Sequence, residues 1–338
     1  MPTSETNSAT HELLPPEINR FKAMPIPIEE LPSVAGWKEL PIESIDEPLV
    51  PLGINSNYAV YTDSVYAGER SSSPYDGGLD GSLATIFVRS TIADSVSLVE
   101  SRLPSGLHIV VLDAYRPLEV QTSLFHTYIN ELRRLKPDWS EDQLETETQK
   151  YVSKPSDDPT KPSPHNTGGS IDLALLSVPQ AIEEQIRKLD EQIEALGDED
   201  STDLQIQRYN LISQNGVMLN FGTNFDNGGP EVGLNYLERQ AKERQLTGGE
   251  VEALENRRLL YHLMTDIARL QPYEDEWWHY NSPHSQMGAK TAGLSKAEYG
   301  PAQLSEKDLF FEAHRKKLVD RLDRNTSLGQ SDTIKPTE

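Results

Sequence analysis

At residues 171–176 the chain reads Ile-Asp-Leu-Ala-Leu-Leu, an apolar run of strand length with one ionisable group inside it. Gly168-Gly169 allows a turn just before it, and the run predicts a buried β-strand. A buried, ionised carboxylate is costly unless it is paired or bound to a metal, so the fold must bring a partner to Asp172. Taken in isolation, Asp172 would be a turn acid, and His165 upstream of it a loop cap.

Two segments supply candidate partners. Ser163-Pro164-His165-Asn166-Thr167 sets His165 ahead of the turn, and Glu276-Trp277-Trp278-His279 sets a carboxylate and an imidazole three residues apart. By itself the second segment reads equally as a partly buried aromatic strand with a polar edge. Read together, His165, Asp172 and His279 make the three-ligand set of a catalytic zinc site, which keeps one coordination position for water. Glu276 is then left over as a general base. A third segment, Val110-Val111-Leu112-Asp113-Ala114-Tyr115-Arg116-Pro117, is an apolar strand ending in a polar turn, with Pro117 where a helix can begin. Metal-assisted amide hydrolysis builds negative charge on the carbonyl oxygen, and Arg116 can stabilise that charge without losing its own proton. Alone, Arg116 reads more simply as an ion-pair partner of Asp113 or of a surface carboxylate.

In this order the three segments resemble the zinc-dependent D-alanyl-D-alanine dipeptidases, the family that includes the vancomycin-resistance dipeptidases. The family pattern of Asp-x-Tyr-Arg-Pro, Ser-x-His-x-x-Gly-x-x-Ile-Asp and Glu-Trp-Trp-His is matched by residues 113–117, 163–172 and 276–279. Phe221-Gly222-Thr223-Asn224-Phe225-Asp226 resembles its Met-Gly-Thr-x-Phe-Asp segment, and Glu255-Asn256-Arg257-Arg258-Leu259-Leu260 its Asn-Arg-Arg-containing helix. The likeness spans roughly residues 36–285. Related D,D-carboxypeptidases typically carry Glu-Pro-Trp-His at the last segment, so Trp277 favours the dipeptidase branch.

The resemblance implies an α+β domain of the D,D-peptidase/hedgehog-like zinc peptidase fold, with a small, mainly antiparallel sheet flanked by helices. It implies one Zn2+ per chain on His165, Asp172 and His279, with Glu276 as general base and acid and Arg116 near the scissile carbonyl. Asp226 and Tyr58 would lie near the substrate's ammonium, with Tyr61 or Tyr66 as alternatives to Tyr58, and Ser163 would hydrogen bond to substrate. The implied reaction is hydrolysis of D-alanyl-D-alanine by a metal-activated water. Phe221 and Ser170 stand where the family usually has Met and Ala, which bears on substrate preference rather than on the chemistry.

Composition bounds the rest. Of 338 residues 36% are hydrophobic, and the formal net charge is −23, which opposes binding to nucleic acid and to anionic membranes. Without cysteine, neither a disulfide framework nor a thiolate metal site can form. The N-terminus lacks the basic start and apolar core of a secretory signal, and no apolar run is long enough to span a bilayer, so a cytoplasmic enzyme is expected. Residues 1–31 and 316–338 are polar and aperiodic and read as disordered tails around a single catalytic domain over 36–315. Within it, Ile182, Ile186, Leu189, Ile193 and Leu196 mark an amphipathic helix that Gly197-Asp198-Glu199-Asp200 breaks before a second helix. The expected helical hairpin, inserted at 180–214, packs on its own domain, forms a dimer contact or rims the site. The remaining histidines read as structural or solvated, with His284 held open as a residue beside substrate or behind a ligand.

Two other functions fit the same residues less well. One is a peptidase on longer or different peptidoglycan-derived peptides, of D,D-carboxypeptidase or L,D type. The other is an inactive zinc- or peptide-binding module, against which stands the presence of Glu276 and Arg116, of little use to a structural zinc site with four protein ligands.

Overall fold

Apolar β-branched and leucine-rich runs set the centre of the molecule, and the amphipathic helices cover it. The computed structural model describes residues 15–322 except 30, 69–74, 76, 150, 151 and 198. In chain order the elements are α1 (Pro15–Ala23), β1 (Leu49–Pro51), β2 (Tyr61–Thr62), β3 (Phe87–Arg89), α2 (Ser90–Glu100), β4 (Leu107–Asp113), α3 (Leu118–Leu135) and α4 (Glu141–Thr148). There follow β5 (Ser170–Ser177), α5 (Gln180–Leu196), α6 (Thr202–Asn215), β6 (Val217–Met218), α7 (Tyr236–Glu243) and α8 (Gly248–His262). The last elements are β7 (Gln271–Tyr273), β8 (Glu276–Asn281), α9 (Gln286–Thr291) and α10 (Glu306–Leu318).

The main sheet has the order β2-β4-β5-β8-β7, with β6 beside β5, and a separate ribbon pairs β1 with β3. Among the strand pairs of the described residues, only β2–β4 is parallel. With helices packed around a mostly antiparallel sheet, the architecture is α+β, as the sequence predicts. Strands β4 and β5 are central and buried on both faces, with Ile109, Val110, Val111, Leu173, Ala174 and Leu175 all at 0% exposure. That is why these two strands read as continuous apolar runs rather than alternating ones. Helix α4 opens on a capping box formed by Ser140 and Gln143.

Register across these strands brings the polar residues together. Asp172 pairs with His279 on β8 and with Asp113 on β4, so three ionisable residues form one row across three adjacent strands. Ser170 pairs with Asn281 two positions away, on the same face of the sheet. Between β7 and β8 the register jumps from Pro272↔Tyr280 to Tyr273↔Glu276. The β8 residues between these pairs bulge out of the ladder, and such a bulge re-aims side chains next to it.

Both ends of the chain differ from the tails expected at 1–31 and 316–338. Helix α1 packs on α8, and Ile18, Ile26, Leu318 and Leu322 all belong to the main core. One apolar residue per turn is enough to dock a short helix, yet too sparse to raise a periodic signal in a polar segment. The parts of the expected tails at 1–14 and 323–338 lie outside the described residues. Among the described residues no helix is long and apolar enough to cross a membrane.

Helices α5 and α6 form the expected hairpin, which leaves β5 at the end opposite to Asp172. It packs on its own domain through Ile186, Ile206, Tyr209 and Ile212, all in the main core, and the Tyr209 ring lies 4.8 Å from that of Tyr61. His108 at the start of β4 fastens it, with Nδ1 2.9 Å from Glu100 and Nε2 2.8 Å from Glu183 on α5. Burial disfavours the charged ring, but the two carboxylates outweigh it and raise His108 from 6.5 to about 9. A group whose folded pKa is raised contributes stability that is full below 6.5 and lost as pH rises through 9. Comparing wild type with H108Q by thermal unfolding, the stability difference should shrink by ~3 kcal/mol between pH 6 and pH 10. An equal difference at both ends of that range would remove the charged clamp.

Candidate metal centre

The row Asp113–Asp172–His279 forms the floor of the centre, and His165 reaches it from the short turn His165–Thr167. That turn ends on Gly168 at φ 66°, a left-handed conformation that glycine adopts without strain. Two backbone links tie it to the end of β4: Arg116 N–H donates to His165 O at 3.1 Å, and the Asn166 amide to Arg116 O at 3.2 Å. His165, Asp172 and His279 are each buried, and one ligand atom from each lies within 4.8 Å of the others.

The chemistry of this donor set fits a cation. His165 Nδ1 lies 2.8 Å from Ala114 O and 3.2 Å from Asp113 Oδ2, both acceptors, so Nδ1 carries the proton. His279 Nε2 lies 3.2 Å from Asn281 Oδ1, and Asn281 is held in turn by Ser170 Oγ at 2.6 Å. With the Asn281 oxygen facing it, His279 carries its proton on Nε2. This leaves His165 Nε2 and His279 Nδ1 as bare lone pairs 3.2 Å apart, with Asp172 Oδ1 2.9 Å from His279 Nδ1 and Asp172 Oδ2 3.5 Å from His165 Nε2. Three donor atoms converging in this way is an arrangement that a divalent metal resolves. The outer bonds fix each ring's tautomer and orientation, as around ligating histidines generally.

Electrostatics agree. Burial, Arg116 and the neighbouring ring push His165 well below its ordinary value, and burial above all lowers His279, so both rings are neutral. Burial, reinforced by Asp113 and opposed by Arg116, lifts Asp172 well above the usual carboxylate range. Four acids, Asp113, Asp172, Asp226 and Glu276, surround the single guanidinium of Arg116, and a dication would relieve their mutual repulsion.

Glu276 Oε2 stands 3.7 Å from His279 Nδ1, although residues three apart on a regular strand point to opposite faces. The bulge in β8 makes the approach possible. The Glu276 side chain keeps 28% of its surface exposed, and burial with Asp172 and Asp226 pushes its carboxyl up to about 8, against His279 and Arg116. Trp277, at 0% exposure, stacks on Phe221 with ring centres 4.1 Å apart and donates Nε1–H to Thr223 Oγ1 at 2.9 Å. Trp278 meets Phe225 edge-on. Both tryptophans therefore pack, and both fasten the segment that carries Asp226.

Arg116 forms the ion pair with Asp113 and stands at the centre as well. Nη2 and Nε donate to Asp113 Oδ2 at 2.6 and 3.0 Å, Nη1 to Gln121 Oε1 at 2.9 Å and Nη2 to Tyr66 Oη at 2.9 Å. Nη2 also lies 4.0 Å from Asp172 Oδ2. Tyr66 lies under the guanidinium and against Tyr75, whose hydroxyl donates to Asp226. Asp226, with Tyr75, Glu276, Trp278 and the 227–230 segment, lines a cavity of about 560 Å³. A larger cavity of about 720 Å³, between segment 44–58 and residues 300–311, contains none of the centre's groups.

Tyr58 is not at the centre. Its hydroxyl donates to Asp94 on α2 at 2.8 Å, and the tyrosine that reaches Arg116 is Tyr66. The segment 53–68 has only a two-residue strand and a short turn, so nothing periodic in it distinguishes Tyr58, Tyr61 and Tyr66. Tyr61 hydrogen bonds to Asp63 instead. Ser163 Oγ accepts the Asn166 N–H at 3.3 Å and so shapes the turn that carries His165. His284 pairs with Glu298 and lies against Tyr299, outside the cluster. Sequence reasoning missed Asn281, Gln121 and Tyr75. Asn281 alone had a signal, a polar residue two positions beyond a ligand on the same strand.

No family model matches the chain. Over 253 residues it is 24% identical to a D-alanyl-D-alanine dipeptidase of Synechocystis sp., covering 72% of this chain and 84% of that protein. Among solved structures, a mutant of the vancomycin resistance D,D-pentapeptidase VanY from a VanB-type cassette, in complex with Zn(II), aligns over 77% of this chain and 96% of that one at 13% identity. The TM-score of that alignment is 0.27, too low to carry an argument about the fold. What the sequence comparison shows is a likeness to a D-alanyl-D-alanine dipeptidase.

Proposed function

We propose that the chain is a zinc metallopeptidase that hydrolyses D-alanyl-D-alanine to D-alanine. The observation that carries this reading is the convergence of donors from His165, Asp172 and His279 beside the Glu276 carboxylate, which lines the same cavity as Asp226. Those three residues would hold one Zn2+ per chain. Bound there, zinc would polarise a carbonyl and lower the pKa of a coordinated water to about 7.

The chain's own residues do the rest. Glu276 takes the proton of the attacking water and returns it to the leaving amine. The raised carboxyl favours holding the proton for delivery to the amine, and a cation on the three donors would draw it back toward the ionised form that the first half needs. Arg116 stabilises the negative charge that develops on the carbonyl oxygen. Asp113, Gln121 and Tyr66 fix its guanidinium in advance, so little reorganisation accompanies the reaction. Asp226, oriented by Tyr75, pairs with the substrate's free ammonium. A longer peptide has no charged amine at that distance and would leave the Asp226 carboxylate without a cation to pair with, which favours dipeptides.

The test is release of D-alanine by the purified, zinc-loaded protein from D-alanyl-D-alanine and from a panel of D,D and L,D tri- to pentapeptides. The dipeptide should be cleaved with by far the highest kcat/KM. Cleavage of the longer peptides alone would make the chain a carboxypeptidase, and release from none of them would overturn the peptidase reading.

A further inference from the structure

Arg257 on α8 is 1% exposed, and each of its hydrogen bonds goes to a backbone carbonyl of one loop. Nε donates to Phe221 O at 2.8 Å, Nη1 to Gly233 O at 2.7 Å and Nη2 to Glu231 O at 2.8 Å. Among the described residues no carboxylate hydrogen bonds to it. A cation buried against neutral dipoles is costly, and a helix residue needed only for packing is better served by leucine or methionine. What the guanidinium provides here is a rigid, three-point fork.

The fork brackets the stretch 222–230. Inside it stand Thr223, which accepts from Trp277; Phe225, which packs on Trp278; and Asp226. Asp226 has φ 60°, a left-handed conformation that a non-glycine residue keeps only where its surroundings over-determine it. A neighbouring helix residue reinforces one end of the bracket, with Asn256 Nδ2 donating to Asn220 O at 2.9 Å. The two tryptophans that meet the stretch from the other side belong to β8, the strand of Glu276 and His279.

We infer that Arg257 is a positioning residue: by closing the loop 221–233 on α8 it fixes Asp226 relative to Glu276, and so sets the distance between ammonium and scissile bond that a substrate must match. The inference rests on the proposed peptidase reading for its consequence, and on the geometry of the fork for its cause.

The full-length, zinc-loaded protein would be compared with R257K, R257A, D226N and the double variant D226N/R257K. Lysine keeps the charge and most of the bulk but cannot reach three carbonyls, so R257K remains informative if R257A does not fold. Expected for R257K are one zinc per chain, kcat within about threefold of wild type and KM raised by about 10- to 100-fold. Amide hydrogen exchange should quicken across 222–230 and stay unchanged in β4 and β5. In the D226N background R257K should raise KM no further, because the two act as one unit. Unchanged exchange in 222–230, or zinc loss with faster exchange throughout, would overturn the inference. If wild type released no D-alanine from any peptide, the function would fall while the exchange result still decided the role of Arg257.

Discussion

Glu276→Gln should retain one zinc per chain and lose turnover of D-alanyl-D-alanine by about 10²- to 10⁴-fold, the range associated with removing a positioned general base. Glutamine matches the shape of glutamate and can still donate and accept hydrogen bonds, but it cannot take a proton from water. Glu276 is not one of the three converging donors, and it stands 3.7 Å from His279 rather than within the cluster. Zinc content by metal analysis and kcat by D-alanine release separate the possibilities. Unchanged turnover removes Glu276 as the base, whereas loss of zinc makes it a ligand. If wild type and variant were equally inactive yet bound the same peptide, the chain would be a binding module.

Asp172→Asn should do the opposite and abolish the metal. The substitution preserves size and hydrogen bonding while removing the only formal charge among the three donors. Zinc affinity should fall by more than the about 10- to 100-fold that loss of an outer hydrogen-bond partner costs. Wild type should gain about 2.7 kcal/mol of stability at zinc concentrations 100 times Kd, and D172N less than about 0.4 kcal/mol at the same concentration once its affinity is down by more than about 100-fold. The second half of the comparison guards against a folding artefact. Asp172 is buried between Asp113 and Arg116, and burial already lifts its carboxyl well above the usual range, so neutralising it should not destabilise the metal-free protein. Thermal unfolding with and without zinc measures both effects. A variant that bound one zinc with unaltered affinity would remove Asp172 from the ligand set.

The residues of the centre were legible because metal and acid–base chemistry admit few side-chain types. An Asp inside Ile171–Leu176 demands a partner, and His165 and His279 were suitable candidates. The ion pair of Arg116 with Asp113 and the packing of Trp277 were legible for the same kind of reason. What the sequence hid was register. A Glu and a His three apart suggest no meeting on a strand, and only the bulge against β7 brings them together. Tyr58 was preferred to Tyr66 because a loop without periodicity offers no way to count which tyrosine turns inward. Helix α1 escaped notice because its docking rests on a few apolar residues such as Ile18, supported by tertiary contact rather than by its own pattern. Arg257 was visible as a residue of a familiar helix segment, but its partners are carbonyls, which leave no trace in side-chain identity.

The position of β8 beside β5 also governs when the donors can meet during folding. Asp172 and His279 are 107 residues apart in sequence, and His165 and His279 are 114 apart. Closing so long an intervening chain costs entropy before any contact repays it, so this pairing is expected among the late events of folding. A chain still lacking it offers a cation two of the three donors at most. Zinc capture would therefore mark the completion of the topology rather than its nucleation, and a bound ion would from then on oppose the departure of β8.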